Sequence, residues 1–327
     1  MRGDVRSPYF DELSVGQVFD TAPAVTLTDG MAAVHASIVG NRLPLSLDAE
    51  LAQAVAGRRV VSPALAWDVS IGQSTLATQH VRANLFYRGL CFSRLPAIGD
   101  TLHTVTTVEA LRENSRRPGR PATGLAVLRI TTSDQDGRAV LDYRRCAMIL
   151  LSPGAPETGR ADDFSRAVDL PDDVDLFASV ADWDLGSIGT RERAARNAGD
   201  VLRVLGGDVV SNAPELARLT GNVARVHHDA GAGGGTRLVY GGHGIGLAFH
   251  HLCQALPEIV TVAGWHQCDH VGPVREGDLL ASTVEIESVL PHQGGATALG
   301  VRVVTVRRDP DGSESEVLHW RPVVIVA

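Results

Sequence analysis

The sequence contains no lysine. All thirty of its basic residues are arginine. This excludes mechanisms that need a lysine amine, such as Schiff bases, pyridoxal phosphate attachment and the lysine of a phosphate-binding P-loop. The four cysteines form no Cys-x-x-Cys pair and lie in apolar or mixed stretches. We therefore expect reduced thiols in a cytosolic protein.

Long hydrophobic runs and a basic surface are also lacking. The N-terminus has no apolar core of the kind found in signal peptides. The longest uncharged run, 238–257, is interrupted by glycines and three histidines, so it is a poor membrane span. The formal net charge of −8 argues against a nucleic-acid surface. With 327 residues, 44% of them apolar, the chain predicts a globular protein of two domains.

Two stretches repeat one pattern. The segments "RLPAIGDTL" (94–102) and "HVGPVREGDLL" (270–280) each place a proline before Gly-Asp and a β-rich run. Downstream of each Gly-Asp pair come two strand-like segments around an Asp-Gly turn, within 125–151 and 299–326. Asp-Gly flanked by β-branched residues is typical of hairpins. The turns are separated along the chain by nearly the same distance as the Gly-Asp pairs, which indicates an internal duplication.

A helix is predicted upstream of each Gly-Asp pair, at 63–79 and 241–256. Both segments are rich in apolar and small residues, as expected of a helix buried against a sheet. Helices packed on an antiparallel sheet belong to the α+β class. Residues 152–175 are rich in Pro, Gly and Asp and are predicted to link an N-terminal domain (1–151) to a C-terminal domain (176–327).

The motifs and their order resemble a known family. The segments that carry the resemblance are "FDELSVGQVFD", "NLFYRGLCF", "LRENS", "ARVHHD" and "RLVYGGH". Together with the repeated Gly-Asp signature and an Asn-x-x-x-x-His cluster, they resemble the MaoC-like, (R)-specific enoyl-CoA hydratases, most closely the mesaconyl-CoA hydratase branch and its actinobacterial relatives. The resemblance implies a double hot-dog fold, in which each of two antiparallel sheets wraps around a long central helix.

The resemblance also implies which residues carry the chemistry. Hydratases of this family place an Asp and a His five residues apart to hold the attacking water. His227 matches the histidine, whereas Asn222 occupies the position of the aspartate. An amide cannot act as a base, so His227 would move the proton while Asn222 orients water or carbonyl. Gly241 and Gly242 would polarise the thioester with unpaired amides at the start of a helix.

Further residues are expected at the substrate. Asp229, Tyr240 and His243 flank the Asn-x-x-x-x-His motif and are predicted to contact the substrate. Asp229 is the nearest carboxylate in sequence to His227. In the first half, "VGNRLPLSLD" places Asn41 and Ser46 where the acid and the histidine would stand. Without a base, this half is predicted to be inactive, and in double hot-dog relatives such a half is thought to shape the acyl pocket.

Several signals have alternative explanations. The three arginines of "RRPGRP", Arg116, Arg117 and Arg120, either form a solvated loop, which we favour, or bind the phosphates of coenzyme A. Seven of the twelve histidines fall between 227 and 270, but their spacing matches no known metal motif, and we expect no metal site. The segment "GGHGIG" does not meet the dinucleotide spacing G-x-G-x-x-G.

The sequence therefore predicts a hydratase or dehydratase acting on a short or branched enoyl-CoA. Coenzyme A would enter as part of the substrate, with no other cofactor. One alternative is an acyl-CoA-binding protein that has lost the catalytic acid. A hot-dog thioesterase ranks third, because it would need a carboxylate on or near the central helix and 241–256 has none. Neither a nucleic-acid nor a membrane partner is expected, and homodimer formation is left open.

Overall fold

One antiparallel sheet runs through both halves of the chain. The computed structural model describes residues 7–165, 170, 174–188, 195–292 and 296–327, within which the sheet has twelve strands. They are β1 (Val18–Phe19), β2 (Val25–Thr26), β3 (Val81–Phe92), β4 (Thr101–Glu113), β5 (Thr123–Ser133), β6 (Ala139–Leu150), β7 (Val201–Arg203), β8 (Asp208–Val209), β9 (Ile259–His270), β10 (Leu279–Pro291), β11 (Thr297–Arg308) and β12 (Glu314–Val326).

The strand order shows how the halves join. It is β1-β4-β5-β6-β3-β9-β12-β11-β10-β7, with β2 beside β4 and β8 beside β10. In the sheet, β3 is the last strand of the first half and β9 is the first strand of the second half. These two strands pair antiparallel, with Phe86 opposite Asp269 and Cys91 opposite Gly264. Each half thereby covers an edge strand that would otherwise be open. The two predicted sheets are therefore joined into one continuous sheet.

The duplication is visible in the element boundaries. The first residues of β3 and β9 are separated along the chain by the same distance as the first residues of β4 and β10. The hairpin strands that follow, β5 with β11 and β6 with β12, have slightly shorter separations. This spacing matches that of the repeated motifs in the sequence, so the α+β double hot-dog prediction is confirmed.

Six α-helices lie within the described residues: α1 (Asp29–Val39), α2 (Pro44–Leu47), α3 (Ala49–Ala56), α4 (Pro63–Gln73), α5 (Ala213–Leu219) and α6 (Gly241–Ala255). The two central helices, α4 and α6, contact each other. Ser62 caps α4 through its hydroxyl and Pro63 opens the helix, a favoured start. Every residue of α4 is buried, including the polar Asp68, Ser70 and Gln73. No described helix is long and apolar enough to span a membrane.

The predicted linker is partly fixed to the first half. Its residues 160–162 lie along β4, where the Glu113 amide donates to the Arg160 carbonyl at 2.9 Å and the Asp162 amide to the Leu111 carbonyl at 3.1 Å. Residues 160–162 thus extend along the last residues of β4. The last strand of the first half ends at Leu150, beside the predicted boundary. Linker residues 166–169 and 171–173 lie outside the described part of the chain.

The halves also meet at one glycine of α4. A Cβ on Gly72 would lie 1.9 Å from the carbonyl oxygen of Thr220, a backbone atom of the second half that cannot rotate away. We expect Gly72→Ala to lower the free energy of unfolding by about 1–3 kcal/mol or more through overpacking. Urea unfolding measures the change. As a control, Gly244→Ala in α6 meets no atom within 4 Å and should leave stability unchanged or slightly raised. Equal stability of the two variants would contradict this account of the contact.

Candidate active site

A cavity of about 380 Å³ lies between the two halves. The first half contributes Thr75 and Thr78 after α4, the start of β3, and Arg145 from β6. The second half contributes the loop from Asn222 to Gly244 and the segment from His270 to Arg275. We call this space the shared cavity. The side chains are brought together because β3 pairs with β9, which places the two halves' inner faces side by side.

His227 lies on the wall of the shared cavity. Its Nδ1 lies 2.8 Å from the Leu238 carbonyl, which can only accept, so Nδ1 carries the proton. The Nε2 atom is therefore left with a free lone pair. The pKa of His227 is lowered to about 4, chiefly by burial; the hydrogen bond to the Leu238 carbonyl opposes this, and His228 and Arg145 add smaller electrostatic contributions that lower it. His227 is thus neutral at pH 7 and able to accept a proton through Nε2.

Asn222 lines the same cavity as His227 and is 3% exposed. Its Oδ1 accepts a hydrogen bond from the Ala224 amide at 3.0 Å, which fixes the amide orientation because only the oxygen can accept. The Nδ2 group is therefore what Asn222 offers to the cavity. His228 holds this loop from outside, with its Nε2 2.7 Å from the Asn222 carbonyl. The pair combines one hydrogen-bond donor with one acceptor.

The helix α6 points its N-terminus at the same space. Gly241 is its first residue and lines the shared cavity. A Cβ on Gly241 would lie 2.7 Å from Nε2 of His270, so a side chain there would crowd the site. The first amides of a helix have no partner within it and carry a partial positive charge. Tyr240 precedes the helix, lines the cavity and packs its ring edge-on to His227 at 5.8 Å.

The floor of the cavity contains three residues that the sequence did not single out as substrate contacts. Arg145 on β6, Tyr87 on β3 and His270 on β9 all line it. Arg145 and Tyr87 are directly opposed across their strands, and the rings of Tyr87 and His270 lie 5.9 Å apart. Burial lowers the pKa of His270 to about 4, so it too is neutral at pH 7. The floor therefore carries a single positive charge, on Arg145.

A buried polar cluster lies behind this wall. The carboxylate of Asp68, on α4, accepts from the Tyr240 hydroxyl at 3.1 Å and lies 2.9 Å from Nε2 of His35. Burial raises the pKa of Asp68, although the hydrogen bond from His35 opposes this. A Cβ on Gly242 would lie 2.1 Å from Oδ1 of Asp68. Gly242 thus serves the packing of α6 on this cluster, and it does not line the shared cavity.

The predicted substrate contact of His243 needs correction. Its side chain is fully buried, and the residue does not line the shared cavity. It follows the helix start by two residues, so its side chain leaves α6 on another face. Neither ring nitrogen has a hydrogen-bond partner within the described chain, and burial lowers the pKa of His243 to about 4.

An outer depression adjoins the cavity and shares Val81, Arg82, Val226 and Ala232 with it. The predicted contact Asp229 lies here, outside the shared cavity. Its Oδ1 accepts from the Gly231 amide at 2.8 Å, and Arg225 lies within 3.5 Å. The carboxylate of Asp229 is thus engaged by its own loop, and it does not line the cavity that His227 lines.

The arginine cluster at 116–120 lines neither the cavity nor the depression. Arg116 is held by Glu113 at 2.9 Å and by the Ala155 carbonyl at 2.9 Å. This geometry gives no support to a contact of Arg116, Arg117 and Arg120 with coenzyme A phosphates, and that contact stays a prediction.

The equivalent motif of the first half has the same local geometry. Asn41 accepts from the Leu43 amide at 3.0 Å and donates to the Ser46 hydroxyl at 2.9 Å. Asn41 and Asn222 thus each accept a hydrogen bond from the amide two residues further on. The correspondence of Ser46 with His227 stays a prediction.

The counterpart of the cavity floor in the other half of the duplication differs. Trp265 occupies the same position along β9 as Tyr87 does along β3, and Trp320 the same position along β12 as Arg145 along β6. The two tryptophans pack edge-to-face with ring centroids 5.6 Å apart. In the second half, aromatic rings therefore occupy the positions that correspond to Tyr87 and Arg145. Of these four residues only Arg145 carries a charge.

Three histidines of the second half predict an acid-sensitive fold. The pKa values of His227, His243 and His270 are each lowered from 6.5 to about 4 by burial. Above pH 6.5 these histidines are neutral in both the folded and the unfolded chain, so they do not change the free energy of unfolding. Between pH 6.5 and 4 only the unfolded chain binds these protons, so stability falls by about 1.4 kcal/mol per pH unit for each histidine.

Urea unfolding at pH 7.5 and 4.5 measures this loss, and His243→Leu should reduce it by about one histidine's share. The same measurements on His103→Gln, which replaces an exposed histidine, supply the control for a surface substitution. An unchanged dependence in His243→Leu would refute the assignment.

Within the described residues no group of three or more His, Cys, Asp or Glu side chains is arranged to hold a metal ion. The four cysteines are free: Cys91, Cys146, Cys253 and Cys268. Burial raises the pKa of the Cys146, Cys253 and Cys268 thiols, so these three are protonated at pH 7.

Comparison with known proteins supports the family assignment. No protein-family model matches the chain. The β-methylmalyl-CoA dehydratase of Chloroflexus aurantiacus is 28% identical over 321 residues, covering 92% of this chain and 89% of that protein. The mesaconyl-CoA hydratase of Cereibacter sphaeroides is 28% identical over 339 residues, covering 97% and 95%.

Solved structures agree with these relatives. A conserved hypothetical protein of Mycobacterium tuberculosis with a double hot-dog fold is 49% identical, with a TM-score of 0.91 and 98% of each chain covered. A putative MaoC domain protein dehydratase from Chloroflexus aurantiacus is 25% identical, with a TM-score of 0.85 and coverage of 100% and 99%. The chain therefore belongs to the MaoC-like hydratase family, in its double hot-dog form, close to the mesaconyl-CoA hydratase branch.

Proposed function

We propose that the protein is a hydratase/dehydratase that adds water to, or removes it from, the double bond of a short or branched enoyl-CoA. The observation that carries this proposal is the neutral His227, whose Nε2 is free at the wall of a cavity beside the N-terminus of α6. The named relatives, a hydratase and a dehydratase of CoA thioesters, support the same reaction class. No cofactor is required beyond the coenzyme A of the substrate.

In the hydration direction, a water molecule lies between Asn222 and His227. The Nδ2 group of Asn222 donates a hydrogen bond to the water oxygen, and Nε2 of His227 accepts one of its protons. As that proton transfers, the water oxygen bonds to the β-carbon, and the π electrons move towards the thioester oxygen to give an enolate. The amide of Gly241 donates to this oxygen as it gains charge.

His227 then completes the reaction. The imidazolium gives its proton to the α-carbon while the enolate collapses to the thioester, so one water has been added across the double bond. Because burial lowers the pKa of His227 to about 4, its protonated form is a strong acid and the return of the proton is favourable. His227 alone therefore accepts the proton and later returns it, because the amide of Asn222 cannot act as a base.

The outer depression is suited to the coenzyme A part of the substrate. It opens from the shared cavity beside Arg82, whose Nη1 donates to the Ala232 carbonyl at 2.9 Å, and it includes Arg225. Arginines at such an entrance attract the phosphates of coenzyme A. The pantetheine arm would pass from this depression into the cavity and place the thioester near Gly241.

A direct assay tests the proposal. The purified protein is mixed with crotonyl-CoA, 2-methylcrotonyl-CoA and mesaconyl-CoA, and the loss of ultraviolet absorbance of the conjugated thioester is followed. We expect turnover of at least one branched ester, with the 3-hydroxyacyl product identified by mass spectrometry.

The alternative function, acyl-CoA binding without chemistry, is favoured by one observation, the amide at the position of the family's acid. It predicts no hydration across this panel together with clear binding of the same esters by calorimetry. A thioesterase is disfavoured because Asp68, although on the central helix α4, is buried against His35 and Tyr240 and does not line the shared cavity.

A further inference from the structure

The shared cavity contains a buried ring nitrogen that the reaction described above does not use. It is Nε2 of His270, the last residue of β9, and it has no hydrogen-bond partner among the described residues. The ring packs edge-on against the ring of Tyr87 at 5.9 Å, which fixes its place at the cavity. Burial lowers the pKa of His270 to about 4, so the ring is neutral at pH 7. A buried polar nitrogen without a partner costs free energy, and a ligand atom could supply that partner.

Nε2 of His270 lies close to the start of α6. It is 2.7 Å from the place that a Cβ on Gly241 would occupy, and covalent geometry therefore puts it within about 5 Å of the Gly241 nitrogen. Two donors that each approach one oxygen at about 2.7–3.1 Å can stand this far apart. Tyr240, the residue before α6, makes no side-chain hydrogen bond to the helix start. One ligand oxygen therefore fits between the Gly241 amide and His270.

The first half lacks both donors at the corresponding positions. Its central helix α4 begins with Pro63, which has no N–H group, and the side chain of Ser62 already caps this helix. Phe92 is the last residue of β3, as His270 is of β9, and each of these strands has 12 residues. The half whose motif has no base thus also lacks the donor at the helix start and the donor at the strand end. All three groups occur together in the half that contains His227.

We infer that His270 is a further catalytic residue, whose Nε2–H donates a hydrogen bond to the thioester oxygen and stabilises the enolate together with the Gly241 amide. This rests on the proposed function for the identity of the reacting ester. The thioester oxygen can only accept, so the proton of the neutral ring is on Nε2 in the complex.

The role of His270 in the reaction is electrostatic. As the water oxygen bonds to the β-carbon, the π electrons move onto the thioester oxygen and both hydrogen bonds to that oxygen strengthen. His270 keeps its proton throughout. When the α-carbon takes its proton from His227, the oxygen becomes a carbonyl oxygen again. A neutral imidazole suits this role, because it polarises the carbonyl without giving its proton to the enolate oxygen.

Replacement of the ring measures the contribution of this donor. His270→Phe keeps a ring and removes the N–H group, so kcat for the best enoyl-CoA should fall by about 10²- to 10³-fold, the effect of removing one donor to an oxyanion. His270→Gln returns an N–H group near the place of Nε2 and should recover about tenfold or more of that loss. His270→Asn withdraws the donor and should behave as His270→Phe, which it replaces if the phenylalanine variant does not fold.

His266→Phe is the matched control. It makes the same change on the same strand, but His266 does not line the shared cavity. Its kcat should equal that of the wild type. Thermal unfolding of each variant shows whether it is folded.

Two readouts separate a hydrogen-bond donor from a base and from a packing role. The acid limb of the kcat/KM profile, which reports protonation of His227, should persist in His270→Phe. Infrared spectra of bound butyryl-CoA, labelled with carbon-13 at the carbonyl, report hydrogen bonding to the thioester oxygen without turnover, because this ester has no double bond. The C=O stretch should shift to lower frequency on binding to the wild type and to His270→Gln, and by less on binding to His270→Phe or His270→Asn.

Four results would overturn the inference: an undiminished kcat in folded His270→Phe, equal losses in the phenylalanine and glutamine variants, a lost acid limb, or the same C=O shift in the wild type and His270→Phe. If no enoyl-CoA is hydrated but the C=O shift depends on His270, the proposed function fails and the donor stands. If hydration proceeds equally in all variants, the proposed function stands and this inference fails.

Discussion

His227→Ala is expected to lower the hydration rate by about 10²- to 10⁴-fold while leaving the fold intact, because a positioned general base contributes on this order. The side chain lies on a cavity wall and, among the described residues, makes a single hydrogen bond, to the Leu238 carbonyl. Little packing is lost when it is removed. Steady-state kinetics on the best enoyl-CoA, with urea unfolding of the same samples, measures both effects.

His319→Ala is the control for this variant. His319 lies on β12, pairs with Glu316 at 2.7 Å and does not line the cavity, so its loss should not affect turnover. An unfolded His227→Ala would mean that the histidine is structural. Full activity in that variant would place the chemistry elsewhere.

Asn222→Asp is expected to lower the rate by about tenfold or more. The aspartate would keep the bond from the Ala224 amide, but it would replace the donor Nδ2 with a second acceptor. The attacking water would lose its hydrogen-bond donor, and a negative charge would stand near the developing enolate. Kinetics of the variant on the same ester decides the sign of the effect.

An increase in the hydration rate of Asn222→Asp would have a different meaning. If the wild type is a weakened hydratase, the aspartate would restore an acid–base partner and the rate would rise by about a hundredfold. Asn41→Asp is the matched control, because Asn41 makes the same turn in the first half but does not line the cavity. It should leave turnover unchanged.

Much of the architecture was predictable because duplication repeats local signals. The Gly-Asp pairs, the Asp-Gly turns and the two small-residue helices recur at nearly constant spacing, and the same spacing reappears in the strand boundaries. Asn222, His227 and Gly241, which the sequence singled out, all line the shared cavity, and their roles stay predictions. They follow one another closely along the chain, so a local motif was enough to find them.

Arg145 and Tyr87 were missed as substrate contacts because they reach the site through strand pairing across the two halves. One signal was present in β6. Tyr143, Arg145 and Ala147 alternate on the buried side of the strand, and an arginine on the apolar side of an alternating pattern is unusual. His243 was assigned wrongly for a related reason. Closeness in sequence to Gly241 did not determine which face of α6 the side chain occupies.

The location of the reacting ester tests the central claim most directly. A crystal structure of His227→Gln with mesaconyl-CoA or 2-methylcrotonyl-CoA would trap the substrate unreacted, because glutamine cannot take the proton. We predict the thioester oxygen within hydrogen-bond distance of the Gly241 amide, the β-carbon facing position 227 and the pantetheine arm leaving past Arg82. An acyl group bound outside the shared cavity, or one whose β-carbon faces away from residue 227, would contradict the proposed active site.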